Sequence, residues 1–192
     1  MKITMATGNR HKVAEANFVL REFGIELVPR PLKGDEVQSL DPVYVARRSL
    51  EHLLRGATGP IVVEDTGLFV RALRGFPGAL ASYVHSTIGL DGLLKLLVGQ
   101  QDRSAYFEAA VGYGEPPKRV WVFTGRVYGK ITTTPKGRHG FGFDPIFVPE
   151  GRDKTLAQMT LEEKSSCSHR ALAFTRMGAW VSGKRGAAQS SK

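Results

Sequence analysis

The stretch KITMATGNRHKVAEANFVLREFGIELV, residues 2–28, decides the fold. Lys2 to Ala6 reads as a short buried strand, Thr7-Gly8-Asn9 breaks it, and a helix follows from about Arg10 to Phe23. Val13, Ala16, Asn17, Leu20 and Phe23 lie near helical spacing, with Lys12, Glu15 and Arg21 at polar positions. Gly24 suits the helix end, and Ile25 to Val28 supplies a second strand. Strand, turn, helix, strand is the opening of an α/β fold.

Working outward, Asp41-Pro42 starts the next helix, because Asp caps well and Pro fits the first helical position; it runs to about Arg55. Ile61-Val62-Val63 is a continuous apolar run, hence a strand buried on both faces, and it ends in Glu64-Asp65-Thr66-Gly67. A second apolar segment, Leu68 to Leu73, precedes a rigid turn at Gly75-Phe76-Pro77-Gly78, then helical stretches near Ala79 to Ser86 and Leu90 to Leu97. From Ser104 the period changes. Ala105 to Tyr113 and Arg119 to Tyr128 read as long strands joined by a hairpin loop at Gly114 to Lys118. Thr134 to Phe143 is a Gly-rich basic loop, and a last helix is expected from Ser168 to about Val181, with Ala171, Leu172, Phe174, Thr175 and Ala179 as its apolar face. The order predicts a twisted mixed sheet with helices packed around it.

Composition narrows the classes. With 42% hydrophobic and 23% charged residues in 192, the chain is ordinary globular material, not a disordered, collagenous or disulfide-scaffold one. The lone Cys167 excludes an intramolecular disulfide or a multi-cysteine zinc site and reads as a small buried hydrophobe. No apolar run reaches bilayer length, and the short apolar N-terminus, charged from Arg10, is unlike a signal peptide; the cytoplasm is the expected location, with no membrane partner. The net charge of +9 attracts polyanions, either nucleic acid or phosphorylated small molecules. Because no run of five like charges occurs, a stable nucleic-acid partner is not expected.

Four clusters could carry chemistry. Thr7-Gly8-Asn9-Arg10-His11-Lys12 joins a strand to a helix N-terminus, where backbone N–H groups and the helix dipole favour an anion. Gly8 allows close approach, Lys12 adds charge, and Asn9 would equally serve as a plain helix cap. The P-loop and GxGxxG spacings are absent. Glu64-Asp65-Thr66-Gly67 places adjacent carboxylates at the end of a buried strand, which is unfavourable unless they are solvated, paired or on a metal. Hard oxygen ligands there suit Mg²⁺; a capping Asp in a sharp turn is the plainer reading. Lys33-Gly34-Asp35-Glu36 is a solvated acidic loop unless Glu36 meets Asp65 and gives the same cation a second carboxylate. The last cluster is Phe141-Gly142-Phe143-Asp144-Pro145 with Lys164 and Ser168-His169-Arg170. Its aromatics either stack on a base or pack a loop, and its Asp can accept from base N–H groups. Ser168 is a good N-cap, but His169 and Arg170 in a first helical turn oppose the dipole, which points to an anion or ligand nearby. A Ser–His–acid triad is poorly supported, because adjacent residues point apart and no GxSxG elbow exists.

TGNRHK at 7–12, VEDTGL at 63–68, GFPG at 75–78, GFGFDPIF at 140–147 and EEKSSCSHR at 162–170 occur in order and cover the chain to about residue 181. In these motifs the chain resembles the inosine triphosphate pyrophosphatase family, the non-standard purine nucleoside triphosphate pyrophosphatases. The resemblance implies an α/β enzyme with an elongated central mixed sheet flanked by helices, two lobes and a cleft between them. It implies a homodimer, one such domain over 1–182, and a basic flexible tail over 183–192. The activity implied is Mg²⁺-dependent hydrolysis of ITP, dITP and XTP to the nucleoside monophosphate and pyrophosphate. Residue by residue, Thr7, Gly8, Asn9, Arg10, His11 and Lys12 would hold the triphosphate. Asp65 would activate water and touch the metal, Glu64 would stand beside it, and Glu36 would be a second metal ligand. Thr66 would contact substrate; Phe141 would stack on the purine, with Gly142, Phe143 and Asp144 shaping the pocket. Lys164, His169 and Arg170 would close over base and phosphates. Many members carry a Lys on the helix before the acidic strand; here that position is Ser49, preceded by Arg47 and Arg48. The alternatives are a related pyrophosphatase for pyrimidine or modified nucleotides, and a basic nucleic-acid-binding protein.

Overall fold

Strand β1 (Lys2–Ala6), helix α1 (Arg10–Leu20) and strand β2 (Glu26–Arg30) form the unit that the first residues predict, with β1 and β2 parallel from Lys2↔Glu26 to Ala6↔Arg30. The structure is a computed structural model and describes residues 1–34 and 37–189. Asn9 caps α1: its Oδ1 accepts from the backbone N–H groups of His11 at 3.0 Å and Lys12 at 3.2 Å. A 3₁₀ turn over Arg21–Phe23 ends at Gly24, whose φ of 63° favours glycine.

The remaining elements are α2 (Pro42–Leu53), β3 (Ile61–Val70), β4 (Pro77–Gly78), α3 (Ala81–Thr87), α4 (Gly89–Leu96), β5 (Ser104–Glu115), β6 (Arg119–Ile131), β7 (Phe147–Pro149), α5 (Leu161–Ser165) and α6 (His169–Gln189). The strands build one seven-stranded sheet in the order β2-β1-β3-β5-β6-β7, with β4 paired to β3. β1 is parallel to β2 and β3, whereas β3–β5, β5–β6 and β6–β7 are antiparallel, so the sheet is mixed.

Strand alternation sorts the core into layers. Ile3, Met5, Val62, Ala109 and Val111 pack with Val13, Ala16 and Leu20 of α1 and Ala173, Phe174 and Met177 of α6. On the opposite face Ile61, Val63 and Ala110 meet Ala46 and Leu50 of α2. A third cluster, including Leu68, Phe107, Phe143 and Phe147, joins the far ends of the strands to α3 and α4 through Val84 and Leu93. Among the described residues no helix is long and apolar enough to cross a membrane.

Three expectations need correction. β3 does not end at Glu64-Asp65-Thr66-Gly67 but runs through it, because β5 pairs with it without a break from Ile61↔Gly114 to Val70↔Ala105. Glu15 is not a solvated polar position; it is 7% exposed, drawn inside by buried cations. The buried face of α6 is Ala173, Phe174, Met177 and Val181, while Leu172, Thr175 and Ala179 face outwards, a rotation that the packing of α6 on β5 and β6 sets. Helix α6 extends to Gln189, and residues 190–192 lie outside the described ones. Strand β7 and helix α5 carry too few residues to register as periodic segments.

Candidate active site

One loop, two strands and three helices converge on a cavity of about 310 Å³ lined by Asn9, Lys12, Thr66, Ala81, Ser82, His85, Phe107, Phe141, Gly142, Phe143, Asp144, His169 and Arg170. Local sequence explains each arrival. The Asn9 cap aims the first turn of α1, and with it Lys12, at the end of β1. In the basic loop, Gly140 has no Cβ, so the Asp144 carboxylate can approach and accept from the Phe141 N–H at 2.9 Å; a Cβ at Gly140 would lie 2.1 Å from Asp144 Oδ2. That bond fixes Phe141 over the site. Thr160 and Glu163 form a capping box that starts α5 and presents Lys164. The Ser168 hydroxyl accepts from the Ala171 N–H at 3.1 Å and starts α6, so His169 and Arg170 fall in its first turn.

Arg170, the cation that opposes the α6 dipole, is held by carboxylates. Arg170, 2% exposed, donates from Nη1 to Glu15 Oε2 at 2.7 Å and from Nε and Nη2 to Glu64 Oε1 at 3.2 and 3.1 Å. Thr66 bonds both Glu64 and Arg170. Lys12 Nζ pairs with Glu64 Oε2 at 2.7 Å. Lys164 Nζ sits 2.6 Å from both Glu15 Oε1 and Asp144 Oδ2. The Phe141 ring lies 5.3 Å from Lys164 Nζ and 5.1 Å from the Arg170 guanidinium carbon, a cation–π floor.

The two adjacent acids separate. Alternation sends Glu64, with Val62, towards α1 and α6, and Asp65, with Val63, towards α2. Burial alone would raise the Glu64 carboxyl, but Arg170 and Lys12 outweigh it and hold it well below the usual carboxylate range. Asp65 makes no ion pair among the described residues. Burial pushes it up to about 6, with the Glu64 charge adding and Lys12 opposing. Its Oδ2 is buried with no hydrogen-bond partner among the described residues. His169 stacks on Phe107 at 4.6 Å, and burial, aided by Arg170, lowers its pKa well below 6.5, so the imidazole is neutral. Neither of its ring nitrogens has a hydrogen-bond partner among the described residues.

The structure therefore brings together at the cavity Asn9, Lys12, Thr66, Phe141, Gly142, Phe143, Asp144, His169 and Arg170, with Lys164 beneath Phe141. Thr7, Gly8, Arg10, His11, Glu64 and Asp65 do not line it: Glu64 is covered by its bonds to Arg170 and Lys12, and alternation turns Asp65 to the other sheet face. Thr7 Oγ1 accepts from the Asn9 N–H at 3.1 Å, and the exposed His11 ring stacks on Phe141 at 5.6 Å. Glu36 lies outside the described residues. Ser49 packs against Gly34, where a Cβ would come within 2.1 Å of its Oγ; Arg48 pairs instead with Glu51 at 2.7 Å, and Arg47 is exposed. Sequence reasoning missed Glu15, whose one signal is its place three residues after Lys12 on the same helix side. It also missed Ser82 and His85 of α3, which carry no local signal.

The Ham1 family model matches residues 3–180. A dITP/XTP pyrophosphatase of Methanopyrus kandleri is 44% identical over 180 residues, covering 94% of this chain and 96% of that one. A dITP/XTP pyrophosphatase of Pyrobaculum aerophilum is 46% identical over 186 residues, covering 96% and 98%. The solved structure of the Staphylococcus aureus Ham1 protein matches with a TM-score of 0.82 at 27% identity, covering 96% of this chain and 100% of that chain.

Proposed function

The chain belongs to the Ham1 family, and on that premise we propose that it hydrolyses non-standard purine nucleoside triphosphates, ITP, dITP and XTP, to the monophosphate and pyrophosphate. The observation that carries this reading is the cavity itself: an aromatic ring on a floor of buried cations, lined by Lys12, whose charge also acts on Asp65 across β3.

The donor set suits a 6-oxo purine. Arg170 lines the cavity and is a donor only, Lys164 beneath Phe141 is likewise a donor only, and the neutral His169 offers one N–H beside one acceptor nitrogen. An oxo group accepts from such donors, whereas the 6-amino group of adenine would set donor against donor and leave buried groups unpaired, at about 1–3 kcal/mol each. Phe141 supplies the stacking face. At the other end Lys12 neutralises phosphate charge, and the Asp65 carboxylate orients the attacking water and takes its proton.

Mg²⁺ is the proposed cofactor. Asp65 fits it, because a buried carboxylate oxygen without a partner is the kind of hard donor that this cation takes, and one or two carboxylates suffice when phosphates complete the shell. Glu36 is the proposed second ligand. When bound, the ion would withdraw charge from the phosphates and the leaving pyrophosphate.

We further propose a homodimer in the cytoplasm, where the nucleotide pool is, without stable nucleic-acid or membrane partners. Supporting the dimer, one sheet face carries a row of aromatics: half-buried Phe69 stacked on Tyr106 at 4.7 Å, then Tyr128, tilted against Tyr106 at 5.6 Å and 53% exposed. A panel of nucleoside triphosphates with Mg²⁺, read by pyrophosphate against orthophosphate, tests the activity. Pyrophosphate release fastest from ITP and XTP is expected; preference for dTTP or UTP would overturn it.

A further inference from the structure

Glu15 is buried and charged, yet it does not line the cavity and the chemistry above gives it no part. Its two oxygens face different cations, Oε1 to Lys164 at 2.6 Å and Oε2 to Arg170 at 2.7 Å. From Lys164 the ion pairs continue to Asp144, which fixes Phe141. From Arg170 they continue to Glu64, and from Glu64 to Lys12. Three carboxylates thus alternate with three cations in one buried series, Asp144–Lys164–Glu15–Arg170–Glu64–Lys12. The series also closes on itself through the backbone, since Lys12 and Glu15 share a turn of α1.

We propose that Glu15 is a positioning residue that couples the base end of this site to its cleavage end, so that the identity of the base is expressed in the rate of cleavage. The proposal rests on the substrate reading above. Its physical basis is shared charge. In a buried series each carboxylate divides its pull between two cations, and little solvent is present to absorb a change. An oxo group that accepts from Lys164 or Arg170 takes up part of the positive charge now balanced by Glu15. Glu15 then bears harder on the other cation, and the hold of Arg170 on Glu64, and of Glu64 on Lys12, readjusts. A donor such as a 6-amino group gives no such relief. Lys12 is where the adjustment reaches the phosphates. Glu15 reaches substrate only through these neighbours, so it acts on geometry and charge and not by contact.

The test compares wild type, Glu15→Gln and Glu15→Asp, with kcat and KM measured separately for ITP, ATP and inorganic tripolyphosphate in Mg²⁺. Gln keeps the shape and removes the charge; Asp keeps the charge and withdraws it by one methylene. For Glu15→Gln the expected result is a fall in kcat for ITP of about tenfold or more, with KM changed by less than about threefold. The fall for ATP and tripolyphosphate should be smaller by about tenfold, so that selectivity collapses. Glu15→Asp should recover part of both. Equal losses on all three substrates, or a change confined to KM, would overturn the proposal. The wild-type column separately tests the substrate reading: if ITP is not preferred, that reading fails, and the coupling is judged between the best and worst substrates found. Circular dichroism checks folding; if Glu15→Gln does not fold, Glu15→Asp carries the comparison, and if neither folds, Glu15 is structural and the proposal falls.

Discussion

At the scale of single residues, Asp65 and Glu64 show how neighbours in sequence acquire opposite properties. Glu64 is tied to two cations and stays ionised, whereas Asp65, on the other face of β3, is held up to about 6 by burial. Replacing Asp65 by Asn should lower kcat by about 10²-fold or more while leaving the circular dichroism spectrum unchanged. The same variant has a stability signature in metal-free buffer. Below the ordinary value of 3.8 the carboxyl is neutral in both folded and unfolded chains and contributes nothing. As pH rises from 3.8 to about 6 the unfolded chain releases this proton while the folded protein still holds it, so roughly 2–3 kcal/mol of stability is lost by the time the folded carboxyl ionises. The Asn variant escapes that loss, so its melting temperature should exceed that of the wild type at about pH 7.5 and match it near about pH 4. His169 makes a second prediction. Because burial keeps it neutral, its imidazole resonances, assigned with a His169→Gln variant, should not titrate between about pH 6 and pH 8. Titration in that window would show that the ring is solvated.

At the scale of elements, the long β5–β6 hairpin is the surface against which α6 is set. Gly125 of β6 is the contact point: a Cβ there would lie 2.1 Å from the His169 carbonyl oxygen and 2.6 Å from the Ala173 nitrogen, both backbone atoms. Gly125→Ala must therefore push the first turn of α6 away from the sheet. A loss of about 1–3 kcal/mol is expected, a melting temperature several degrees lower. Because that turn carries His169 and Arg170, KM for the purine substrate should rise in the folded fraction as well. A variant with wild-type stability and kinetics would mean that α6 is not anchored there. The α1 helix and its cap were legible from residues 7–24 alone, since Asn9 and Gly24 are local signals. The continuation of β3 through Glu64-Asp65-Thr66-Gly67 was not, because two carboxylates read as a strand end unless β5 is known to pair alongside.

At the scale of the whole molecule, the sheet buries one face under α1 and α6 and part of the other under α2, while Phe69, Tyr106 and Tyr128 form a row across β3, β5 and β6 beside a cavity of about 830 Å³ rimmed by Arg71, Arg74, Lys130 and Arg152. Such an aromatic row on an exposed sheet face suits a self-complementary contact. Light scattering should give the mass of two chains for the wild type, and Tyr128→Glu should shift it towards one. A wild type that is monomeric at micromolar concentration would remove the dimer.

The sequence by itself determined the α/β class, the order of the main elements, and the residue types gathered at the site, because helix caps, strand periodicity and motif spacing are local. Only the tertiary structure decided which of those residues are partners. Glu15, Asp144 and Lys164 are 149 and 20 positions apart in their pairings, and Arg170 meets Glu15 and Glu64 across 155 and 106. Charges that far apart along a chain interact only once the core has excluded the water between them, so no local pattern of residues could have revealed how their ionisation is shared.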